Sequence, residues 1–154
     1  ARDSLRTEAG LPLYGHEMGG MLNLGVSQAG FEMFVKTYKP WFIGRKAFLA
    51  QQAKQDSIVV RFTFDEKRTR MAHLGDPVVD EHGKFIGTVT SCAINAEGSL
   101  TGQAYVSEKN ADLGSVLYIY QGSPSKTDKA PANLTKGDRV NLPSRATVIS
   151  RFLK

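Results

Sequence analysis

The chain has one cysteine, Cys92, and one tryptophan, Trp41, among 154 residues. A single cysteine forms no intramolecular disulfide and leaves no thiolate set for a tetrahedral metal site. It fits a reducing compartment. Histidine is scarce too. His16, His73 and His82 lie far apart, and no H-x-x-H or C-x-x-C spacing occurs. These absences argue against a metal centre. No apolar run nears the ~20 residues that a membrane-crossing helix requires. No signal-peptide layout is present, since Ala1 leads straight into charged residues. There is no initiator methionine, which reads as a processed product or a piece of a longer protein. No G-x-x-x-x-G-K phosphate loop and no internal repeat is found.

Acidic surplus is also missing. Twenty Lys and Arg stand against 15 Asp and Glu, a formal net charge of +5. That bias permits a polyanionic partner without requiring one. The basic residues are dispersed. Only Lys67, Arg68 and Arg70 cluster, and a solvated loop explains them.

What is present divides near residue 55. Residues 2–9 read as a short charged helix. Arg2 and Arg6, four apart, share one face, with Leu5 and Ala9 as its apolar stripe. Gly10 closes it. Residues 31–35 (FEMFV) read as a short strand, and residues 45–54 as a helix burying Phe48, Leu49 and Ala53. The first part is thus α+β and too small for its own core. Its apolar residues, including Leu11, Tyr14, Phe34, Trp41 and Phe42, call for a covering surface or for self-association.

The second part is dense in β-branched and aromatic residues. Strands are expected at 57–64, 76–80, 85–91, 100–106, 116–121 and 145–152. Turns fall at Gly83 and at 95–99. A Ser/Pro/Lys-rich loop spans 122–134, and a further turn falls at 136–138. Six short strands at regular spacing predict a closed barrel or sandwich. The fold class is therefore mainly β, with an α+β N-terminal segment and a six-stranded C-terminal domain. Tyr118 and Tyr120 alternate along one strand. With the lysines they could form a nucleic-acid surface on a stand-alone barrel. A half-buried sheet face explains them as well, and nucleic acid is not the preferred partner. Cys92 reads as a strand-end thiol.

Residues 1–17, ARDSLRTEAGLPLYGHE, resemble the glycine cleavage T-proteins, the tetrahydrofolate-dependent aminomethyltransferases. Their pattern runs A-R-D-[ST]-L-R-L-E-A-G-L-x-L-Y-G-x-[DE], with Thr7 here in place of leucine. Gln28-Ala29-Gly30 with Val35-Lys36, the run Phe42–Phe48, Ile86–Ser91 and Gln103–Val106 resemble later family segments in order. Four further positions depart from the pattern. Met33 stands for a tryptophan, Val26 for a proline, Gln28 for a glutamate and Cys92 for a glycine. The K-G-C-[YF]-x-G-Q-E motif of the related iron–sulfur assembly factors is absent.

The resemblance implies the C-terminal portion of such an enzyme. Residues 1–55 would end a discontinuous folate-binding domain, and 56–154 would form a jelly-roll barrel domain. It implies transfer of a one-carbon unit from a lipoyl-carried aminomethyl group to tetrahydrofolate, with release of ammonia. The partner would be the lipoyl carrier protein. The location would be cytoplasm, or the mitochondrial matrix in a eukaryote. Arg2 would bind the folate cofactor. No catalytic residue and no metal is assigned to this chain, which alone would be inactive. The departures leave a folate-dependent demethylase paralogue as an alternative.

Overall fold

The computed structural model describes residues 2–122, 133, 135–136 and 142–152. Of the loop expected over 122–134, residues 123–132 and 134 lie outside these residues, as do Gly137 and Asp138 of the expected turn. Six antiparallel strands form a closed barrel: β1 (Ser57–Phe64), β2 (Pro77–Val79), β3 (Phe85–Ile94), β4 (Leu100–Ser107), β5 (Val116–Ile119) and β6 (Ser144–Ile149). Their order around the barrel is β1-β4-β3-β2-β5-β6. The pairing of β1 with β6, with Phe62 opposite Val148, closes it.

Alternation along each strand sends one set of side chains inward. Val60, Phe62, Phe64, Val78, Val89, Ala104, Val106, Leu117, Ile119, Ala146 and Val148 fill the interior. Gly102 sits opposite Phe62. A Cβ on Gly102 would come within 2.5 Å of the Phe62 ring, so the small residue makes room for the large one. The β2–β3 turn is set by Asp80, whose Oδ1 accepts the His82 and Lys84 backbone N–H groups at 2.9 Å. Gly83 takes the left-handed conformation there, φ 79.

Strand β1 is buried on both faces. Val59 and Arg61, which point outward, are as buried as the inward residues. The cover comes from residues 6–30. Gln28 carbonyl accepts Val59 N–H at 2.8 Å. Leu11 carbonyl accepts from Gln103 Nε2 at 3.0 Å, and Glu8 Oε1 accepts Ala96 N–H at 3.0 Å. Arg151, just past β6, reaches back with Nη1 to Val59 carbonyl at 2.6 Å and with Nη2 to Ala29 carbonyl at 2.8 Å.

The first part departs from its sequence reading in three ways. The segment FEMFV is not a strand; Glu32–Phe34 is a single 3-10 turn. Phe31, Phe34 and the distant Phe152 pack their rings together with centroids 5.5–6.0 Å apart. That cluster, following the left-handed Gly30 at φ 78, favours a turn over an extended run. Residues 2–56 therefore contain no strand, only an isolated bridge between Tyr14 and Met18. The N-terminal segment is helical and looped rather than α+β.

Second, helix α1 (Arg2–Glu8) buries Arg6 and Thr7, while Leu5 is exposed. The surface beneath α1 is the polar outer wall of β3 and β4, which selects the polar face of the helix. Third, helix α2 (Arg45–Gln52) buries none of its residues fully. Phe48 and Leu49 are half-buried and Ala53 is exposed.

Candidate functional site

Helix α1 ends where the sequence places a glycine. Gly10 has φ +72, and a Cβ there would lie 2.1 Å from Arg151 carbonyl oxygen. Only glycine allows both the conformation and the close approach. The chain then turns through Leu11–Met18, with Gly15 N–H donating to Met18 carbonyl at 2.6 Å.

Arg6 and Glu17 hold this turn to the helix. Arg6 Nη1 donates to both Glu17 carboxylate oxygens at 3.0 Å. Arg6 Nε donates to Asp3 Oδ1 at 2.6 Å. Arg6 Nη2 lies 3.4 Å from His16 Nδ1. Glu17, fully buried, also accepts Leu13 N–H at 2.9 Å. Burial by itself would raise the Glu17 pKa. Hydrogen bonds from Leu13, Arg6 and Thr90, with the Arg6 charge, outweigh it and hold the carboxyl below its ordinary value. Every charge in this group has a partner. Arg6 pairs locally with Asp3, three residues before it, and Glu17 is a second, buried partner that local sequence spacing does not single out.

Arg2 lies one turn before Arg6 on the same helix and is exposed. The pair thus separates into a buried anchor and an outward guanidinium. Elsewhere the first part of the chain presents apolar groups to solvent. Leu5, Tyr14, Met21, Met33, Phe34, Tyr38, Trp41 and Ile43 are all exposed. An open hollow of ≈ 770 Å³ runs along residues 40–50, with Trp41, Phe42 and Ile43 beside Arg45 and Lys46.

The remaining sequence candidates stay separate from this face. Cys92 is partly buried against the barrel core. Burial pushes its thiol pKa up, which keeps it protonated and poorly nucleophilic. His73 and His82 are exposed in turns. Arg70 Nη1 donates to Gly122 carbonyl, and Gln121 Nε2 donates to Arg70 carbonyl at 2.6 Å, so that basic segment is fastened to the end of β5. Tyr118 and Tyr120 are half-buried. Among the described residues no group of three metal-ligating side chains occurs, and no helix is long and apolar enough to cross a membrane.

No family model matches the chain. Its sequence is similar to bacterial aminomethyltransferases. Identity to that of Cutibacterium acnes is 36% over 120 residues, 77% of this chain and 31% of that protein. For Thermoanaerobacter sp. it is 37% over 122 residues, 77% of this chain and 32% of that protein. For Koribacter versatilis it is 41% over 92 residues, 59% and 23% of the respective lengths. The chain thus spans about a third or less of the relatives it matches. A solved structure, the glycine cleavage system aminomethyltransferase T of Bartonella henselae, superposes with a TM-score of 0.71. It covers 97% of this chain and 37% of that one, at 23% identity, a likeness of fold.

Proposed function

We propose that this chain, which matches a C-terminal portion of the aminomethyltransferases of the glycine cleavage T-protein type, supplies part of a folate-dependent one-carbon transferase. The observation that carries this reading is the 36–37% identity over some 120 residues to aminomethyltransferases. In the reaction, an aminomethyl group held on the lipoyl arm of a carrier protein gives up its nitrogen as ammonia. Tetrahydrofolate, when bound, would take the one-carbon unit, and the lipoyl sulfur would be left as a free thiol.

The chain's own contribution is positional. Residues 1–55 would close a folate-binding domain, and 56–154 would form the barrel domain beside it. Arg2 would pair with the carboxylates of the folate glutamyl tail, a match of guanidinium and carboxylate geometry. Its exposure leaves the guanidinium open to an anionic ligand. The buried Arg6–Glu17 pair keeps α1, and so Arg2, in place. We assign no catalytic residue within this chain. Alone it should be inactive, because bringing two reactants together needs the other walls of the site.

Gln28, Met33, Val26 and Cys92 support a second reading, a paralogue that removes a methyl group from another substrate. Gln28 is fully engaged here. Its Oε1 accepts from Gly25 N–H at 3.1 Å and from Gln51 Nε2 at 3.2 Å, and its Nε2 donates to Tyr105 hydroxyl at 3.1 Å.

The test is calorimetric titration of tetrahydrofolate. The 154-residue chain alone is expected to show no binding at micromolar concentration. Mixed with the part of the Cutibacterium acnes enzyme that precedes the matched region, it should bind, and Arg2→Ala should weaken that binding about tenfold, roughly 1.4 kcal/mol. Micromolar binding by the chain alone would overturn the incomplete site. Equal binding by Arg2→Ala would overturn the role of Arg2.

A further inference from the structure

The outer wall of the barrel under α1 carries a row of buried polar side chains. In the strand register, Arg61 of β1 lies opposite Gln103 of β4, and Gln103 lies opposite Ser91 of β3. Their relative exposures are 5%, 0% and 5%. Three atoms in this row have no hydrogen-bond partner among the described residues: Arg61 Nε, Gln103 Oε1 and Ser91 Oγ.

Their chemistry is complementary. Arg61 Nε is a donor, Gln103 Oε1 an acceptor, and Ser91 Oγ both. The amide of Gln103 cannot be turned to exchange its two ends, because Nε2 serves Leu11 carbonyl at 3.0 Å. A flip would set two acceptors against each other. Arg61 Cδ lies 3.7 Å from a Cβ built on Gly10, so the Arg61 stem and the Gln103 amide meet beneath the consecutive residues Gly10 and Leu11. Side chains on directly opposed strand residues have Cβ atoms about 5 Å apart, so a single bridging molecule at their ends could meet two of these atoms.

We propose that this row is a closed site for ordered water, with a water donating to Gln103 Oε1 and accepting from the flanking Arg61 Nε–H or Ser91 O–H. The bonding matches what buried water ordinarily makes, two to four hydrogen bonds to polar groups that would otherwise lack partners. The joint between α1 and the barrel is then wet, and the water is part of the folded chain. This site is independent of the one-carbon reading.

Two measurements test it on the full 154-residue chain. A high-resolution crystal structure is expected to show a solvent peak within hydrogen-bond distance of Gln103 Oε1 and of Arg61 Nε or Ser91 Oγ. Direct pairing of Gln103 Oε1 with either side chain and no peak would overturn the proposal. The variant Ser91→Ala leaves the space and removes one water partner, so its melting temperature should fall by a few degrees. A melting temperature equal to or above that of the parent chain, with no solvent peak beside Arg61 Nε in the crystal, would mean a dry, unpartnered hydroxyl and would likewise overturn it.

Discussion

Both Glu17 carboxylate oxygens accept from a single Arg6 nitrogen at 3.0 Å, and both side chains are almost wholly withdrawn from water. Breaking such a pair strands the surviving charge in a poor solvent. Glu17→Ala is therefore expected to destabilise the chain by about 3–5 kcal/mol. Asp3→Ala should cost no more than about 1 kcal/mol, because Asp3 is mostly exposed. Urea unfolding of the two variants checks the contrast.

The same carboxyl sets an acid limit. Its folded pKa lies below the ordinary 4.5, so ionised Glu17 contributes stability above that value. This contribution is lost as pH falls through the lowered folded pKa. The melting temperature should decline below about pH 4.5. Glu17→Gln should flatten that decline while lowering the plateau at neutral pH. Parallel declines in both proteins would show that other carboxylates dominate.

Arg151 fastens the end of the chain to both layers. It donates to Val59 and Ala29 carbonyls, and its guanidinium lies 5.5 Å from the Phe31 ring centroid. Burial, partly countered by Glu17 and reinforced by Arg61, lowers its pKa to about 10, so it remains charged at neutral pH. Arg151→Ala should cost about 2–4 kcal/mol and leave two carbonyls without their donor. Limited proteolysis is expected to cut faster within residues 25–35 than in the barrel strands.

Two glycines separate conformation from crowding. Gly10→Ala meets both a positive φ and the Arg151 carbonyl, whereas Gly15→Ala, at φ +94, meets nothing within 4 Å. Gly15→Ala is expected to cost about 1 kcal/mol, the left-handed penalty alone. Gly10→Ala should cost clearly more. Equal losses by denaturant melts would contradict the close approach.

Self-association is expected to run through the apolar first part. Trp41→Ser with Ile43→Lys should leave stability within about 0.5 kcal/mol, since both side chains are exposed. It should shift sedimentation toward the monomer. An unchanged distribution would place any association elsewhere.

The strands were legible because each follows from its own residues: β-branched runs, inward alternation, and glycines at Gly83 and Gly98 where the turns need positive φ. Leu5 and Arg6 show what periodicity leaves open in α1. Helical periodicity says which residues share a face, but not whether the opposing wall is apolar. Here that wall is the outer face of β3 and β4, where strand register sets Ser91 beside Gln103 from separate parts of the sequence. Phe31–Phe34 failed for a related reason. A short apolar run suits strand or turn, and its partner, Phe152, lies over a hundred residues away. Arg6 and Asp3 were readable as neighbours. Glu17 was present in the motif, but its burial depends on a turn that folds back beneath the helix.

Closure of the barrel has a consequence for assembly. Each of the six strands has a neighbour on both sides, so none offers a row of free backbone groups to an incoming strand. Growth by strand addition, the common route from native sheets to fibres, is closed to this half of the molecule. Any stable companion must instead be recognised through side chains, and the most exposed large apolar ones, Met21, Ile43, Tyr14, Tyr38 and Trp41, belong to residues 2–45.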